Sequence, residues 1–74
     1  MGMIGTIREV VENSLKYEDW LGMFAILSDM GFKLWVEVKP DKEVHIELYN
    51  DIEGETYHVF IKNGKVMIEK LREV

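Results

Sequence analysis

The chain has 74 residues, 47% of them hydrophobic, and a net charge of −5 from 14 acidic and 9 basic side chains. That length supports one hydrophobic core, and the apolar share is too high for a disordered segment. With no cysteine, disulfides, thiol nucleophiles and cysteine-ligated zinc or iron–sulfur centres are excluded.

A core this small, without a covalent staple, gains from burying surface against a partner, so self-association is expected from the outset. The acidic balance runs against a nucleic-acid backbone as the main partner. No apolar run nears the roughly 18 residues that would span a bilayer, and no signal-peptide pattern opens the chain, so the expected location is the cytoplasm. Many Lys and Glu residues beside no Gln or Cys make a pattern familiar from heat-adapted proteins.

Residues 1–5 read as a flexible lead-in. Met1-Gly2-Met3-Ile4-Gly5-Thr6 matches the N-myristoylation pattern, but so short a motif arises readily by chance, and the plain reading is preferred. Thr6-Ile7-Arg8-Glu9 has the spacing of a capping box and predicts a helix start there. Ile7, Val10, Val11 and Leu15 then share one stripe with Ser14, while Glu12 and Lys16 are expected to pair on the wet side.

A second helix is expected over about residues 18–30. Its Trp20, Leu21, Met23, Phe24, Ile26, Leu27 and Met30 cover more than half the circumference, which predicts burial against both the sheet and the first helix. Such a stripe could line a ligand groove, but core is the favoured reading. Gly31 supplies the left-handed stop.

Residues 32–39 alternate, placing Phe32, Leu34, Val36 and Val38 on the buried face. A three-residue loop at Pro40-Asp41-Lys42 keeps parity by opposing Val38 to Val44 and Val36 to Ile46. A four-residue loop, Asp51-Ile52-Glu53-Gly54, sets Leu48 opposite Tyr57 and Ile46 opposite Val59. Asn63-Gly64 is a strong type I′ hairpin signal and opposes Lys62 to Lys65, Phe60 to Met67 and Val59 to Ile68. Residues from Ile68 onward also suit a short final helix on propensity. The expected architecture is a single α+β domain over residues 1–74: two N-terminal helices packed on one face of a four-stranded antiparallel meander, ααββββ.

The chemistry then falls on the sheet face that the helices leave open. Trp35, Tyr49, Phe60, Met67 and Leu71 are too many large apolar groups for a face that merely meets water, and they predict a protein interface. The alternative is that each aromatic simply shields its own strand. Lys39, Lys42, Lys62 and Lys65 gather at one end and could contact nucleic acid, although Glu43 interrupts them and charged turn tips commonly serve solubility. His45, His58, Glu47 and Glu69 form a further candidate set for a metal ion, without a motif to support it.

No P-loop, GxGxxG, GxSxG or EF-hand pattern is present, and no cofactor is expected. The sequence therefore predicts a small non-catalytic interaction or regulatory domain, with a second copy or another protein as partner.

Overall fold

A computed structural model describes residues 3–50 and 52–71. Two helices, α1 (Ile4–Lys16) and α2 (Trp20–Asp29), precede four strands: β1 (Lys33–Val38), β2 (Val44–Asn50), β3 (Glu55–Lys62) and β4 (Lys65–Leu71). The strands form one antiparallel sheet in the order β1-β2-β3-β4, with α1 packed towards β4 and α2 towards β1. This is the α+β meander that the alternating pattern predicts.

The turns hold each ladder in its predicted register. Asn63 and Gly64 take φ of 52° and 76°, as a type I′ turn requires, and Lys62 faces Lys65. Between β1 and β2, the Lys39 N–H donates to the Glu43 carbonyl at 2.8 Å and the Lys42 N–H to the Lys39 carbonyl at 2.9 Å. Lys42 adopts the left-handed φ of 69° that closes this loop, and Val38 faces Val44. After β2, Asn50 Oδ1 accepts from the N–H groups of Ile52 and Glu53 at 3.1 and 3.2 Å, and Gly54 takes the left-handed place. Asp51 of that loop lies outside the described residues, as do Met1 and Gly2 of the myristoylation pattern.

Parity sends one face of the sheet inward. Ile46, Leu48, Tyr57 and Val59 are fully enclosed with Ile7 and Val11 of α1 and Met23 and Leu27 of α2. Phe32 meets the Tyr57 ring edge-on at 5.9 Å. At the far end of this face, the Lys70 ammonium donates to the Glu55 carboxylate at 2.9 Å. Lys70 holds the Glu55 carboxyl below its ordinary range, and Glu55 in turn raises Lys70.

The helix ends depart from expectation. α1 starts at Ile4, two residues ahead of Thr6, and has no side-chain cap, so the capping box does not form and residues 4 and 5 are helical. The start is set by tertiary contact instead. Met3 and Ile4 pack on the core, and the Met3 N–H donates to Tyr57 Oη at 3.3 Å. Glu12 pairs with Arg8 at 3.6 Å rather than with Lys16, whose ammonium sits 5.5 Å from the Tyr17 ring centre. In α2 the cap is Asp19, which accepts from the Gly22 N–H at 2.9 Å. A Cβ at position 22 would collide with that carboxylate, so glycine is what lets the cap close. Residues 68–71 are strand and not helix: β4 runs to Leu71, because Ile68 is drawn onto the core.

Asp19→Ala should lower stability by about 1 kcal/mol, a fall of about 4–8 °C in Tm for a domain of this size. Thr6→Ala should stay within about 0.5 kcal/mol, a contrast that thermal melts resolve. A carboxyl whose pKa is depressed by folding stabilises above its unfolded pKa and loses that contribution as pH falls through the folded value. The urea midpoints of wild type and Glu55→Gln should therefore differ at pH 7 and converge in acid.

Candidate functional site

Helices on one side leave the other face of the sheet open, and the ladder registers give its rows. Glu37, His45, Phe60 and Met67 lie in one row; Trp35, Glu47, His58 and Glu69 in the next; Lys33, Tyr49, Thr56 and Leu71 beyond. Of the expected interface residues, Trp35 and Met67 are 68% and 60% exposed, and Tyr49 is exposed as well. Phe60 and Leu71 are half-buried. Phe60 owes its shelter to the His45 ring, which meets it edge-on at 4.6 Å.

The two histidines occupy the middle of the face. His45 Nδ1 and His58 Nε2 approach to 3.0 Å, with the rings stacked at 16° and 5.2 Å between centres. Their outer nitrogens each lie 3.7 Å from a carboxylate, Glu43 for His45 and Glu69 for His58. The result is a line, Glu43–His45–His58–Glu69, running diagonally over the sheet. One proton between the facing nitrogens makes one ring the donor and the other the acceptor, whereas a proton on both would aim two N–H groups at each other. Hydrogen-bond distance is confined to the two facing ring nitrogens, and the carboxylates at 3.7 Å act on the rings by charge alone. Beside it is a shallow depression of about 300 Å³ lined by His58, Phe60, Met67 and Glu69.

Glu47 does not join the histidines. It accepts from the Tyr49 hydroxyl on the same strand, and that bond to a carboxylate raises the Tyr49 phenol above its ordinary range. Among the described residues, no group of three or more His, Asp or Glu is placed to hold a metal ion. Glu43 is the member of the line that the sequence reading left out. Its position two residues before His45, hence on the same face, was the available signal.

Two of the four lysines at the lysine end have carboxylate partners. Lys62 donates to Glu43 at 2.9 Å, which raises the Lys62 ammonium above its usual range, and Lys39 lies 3.5 Å from Glu37. Lys42 and Lys65 are exposed at the two turn tips.

A second apolar surface lies on the helix side, where burial was expected. Val36 and Val38 are 40% and 67% exposed, and with Trp20, Phe24 and Val44 they line an open groove of about 440 Å³. Leu21 and Ile26 of α2 are also exposed, so the wide apolar arc of this helix is only partly consumed. Trp20 and Phe24 of α2 line this groove with Val36 and Val38, so the helix reaches that end of β1 without closing over it. Compared with known families, with characterised proteins and with solved structures, the chain matches none. Among the described residues no helix is long and apolar enough to cross a membrane.

The Glu47–Tyr49 bond predicts that Tyr49 ionises later than an ordinary tyrosine. In an alkaline titration followed by NMR of the tyrosine rings, Glu47→Gln should bring Tyr49 down towards the usual range.

Proposed function

We propose that this protein is a non-catalytic association module that binds another protein surface through its open sheet face. The observation behind this is the pair Trp35 and Met67, largely exposed on a face that neither helix covers, with Tyr49 on the same side. Tryptophan, tyrosine and methionine are concentrated at the centres of protein interfaces, where burial of their large apolar surfaces supplies much of the binding energy. Charged neighbours, Glu37 and Lys39 among them, form the polar rim that such centres have. The lysine end gives less support to a nucleic-acid reading, because Lys39 and Lys62 already have carboxylate partners.

Both anchors stand clear of the core, so Trp35→Ala with Met67→Ala should keep the circular dichroism and cooperative melting of the wild type. Association should weaken by about 2 kcal/mol or more, roughly thirtyfold. It is read as solution mass by light scattering over a concentration series, or as retention of a partner protein on immobilised bait. A folded double variant that associates as the wild type does would overturn the reading.

A further inference from the structure

The two edges of the sheet are not alike. At β4, the tight turn makes Lys62 and Lys65 a hydrogen-bonded pair, so Val66, Ile68 and Lys70 direct their backbone groups outward. That edge is guarded: Arg8 of α1 donates to the Val66 carbonyl at 2.8 Å, and Lys70 is engaged with Glu55. At β1, the bond from Lys39 N–H to Glu43 turns the odd-numbered residues towards β2. Leu34, Val36 and Val38 therefore direct their N–H and C=O groups outward. Val36, Val38 and Trp35 leave much of their side chains in water on this same strand, and the groove under Trp20 and Phe24 opens beside it. An edge of this kind is a template for another strand.

We propose that a second copy of the chain pairs with β1 in antiparallel fashion, about a twofold axis at Trp35, joining the two sheets into one. The inference goes beyond the association reading above, because it rests on the β1 edge and not on the open face.

The register follows from parity and charge. Like faces must meet, so each strand can be centred only on a residue and not between two. Centring on Trp35 sets Lys33 of each copy opposite Glu37 of the other and Leu34 opposite Val36. Centring on Val36 would oppose Lys33 to Lys39, and centring on Glu37 would oppose the two glutamates. Centring on Leu34 shortens the overlap and opposes Lys33 to Trp35. Centring on Val38 would oppose Glu37 to Lys39 but runs the overlap into the turn and sets Pro40, which has no N–H, against Val36. Of the axes that keep the overlap within the strand, only Trp35 brings opposite charges together, in a pair that the symmetry repeats.

The backbone agrees with this choice. Leu34 and Val36 are residues with outward N–H and C=O groups, so they become the hydrogen-bonded pairs. Trp35 falls at a non-hydrogen-bonded position, where facing side chains come closest. An unrelated strand could use the same edge, but it would have no reason to carry a glutamate opposite Lys33 and a lysine opposite Glu37. A second copy carries both by symmetry.

The absence of native cysteine makes cysteine variants clean probes. Under mild oxidation, Trp35→Cys should form a symmetric disulfide dimer, since facing residues at such a position approach disulfide reach. Met67→Cys, also exposed but on β4, should form no such disulfide. Lys33→Glu and Glu37→Lys alone should each weaken the dimer by about tenfold in a light-scattering series, and the two together should restore it, with circular dichroism confirming the fold in each case. A wild type that stays monomeric at millimolar concentration would overturn edge pairing while leaving the open face available to another protein. A dimer lost in Met67→Ala but indifferent to the charge changes would also overturn it, and would place the seam on the open face.

Discussion

Every side chain of the sheet owes its face to a parity constraint carried through three antiparallel ladders. A strand exposes alternate residues to opposite sides, so slipping one ladder by a single residue would turn a whole strand inside out. Here the turns prevent that. Asn63 and Gly64 close β3 on β4 with positive φ at both positions, and Lys42 closes β1 on β2 at φ 69°. With those registers fixed, Ile46, Val59 and Tyr57 have to be core, and His45, His58 and Trp35 have to be on the other face.

What parity cannot provide is cover. Two helices of 13 and 10 residues lie over four strands, one towards each edge. The centre of the sheet is fully enclosed at Ile46, Leu48, Tyr57 and Val59, whereas β1 is left partly roofed. Trp20, Phe24, Val36 and Val38 continue the apolar patterns of helix and strand, yet line an open groove instead of closing on one another. The domain is thus well packed at its middle and open along one flank, where apolar side chains and outward backbone groups coincide.

The elements that sequence reveals best here are those governed by short-range rules. Asn63-Gly64, the loop parity at Pro40 and the alternation of Val44, Ile46 and Leu48 specify the sheet to the residue. The start of α1 was harder, because a capping box is worth about 1 kcal/mol and burying Met3 and Ile4 outweighs it. At β1, alternation tells which face Val36 and Val38 occupy but not whether anything lies above them. The histidine line shows the same division. Diagonal proximity of His45 and His58 follows from register, while the choice of Glu43 over Glu47 follows from rotamers, with Tyr49 claiming the latter.

Two contacts tie the beginning of the described chain to its last hairpin: Met3 to Tyr57 and Arg8 to the Val66 carbonyl, 54 and 58 residues apart. The hairpins themselves close locally and are quick to form, but the apolar stripe of α1, which α2 covers in part, lacks the remainder of its seat until β3 and β4 exist. During synthesis, which proceeds from this helix towards that hairpin, α1 emerges first and completes its packing last. A nascent chain ending at β2 would hold part of the apolar side of its first helix still in water, so the core closes only once translation has passed β4.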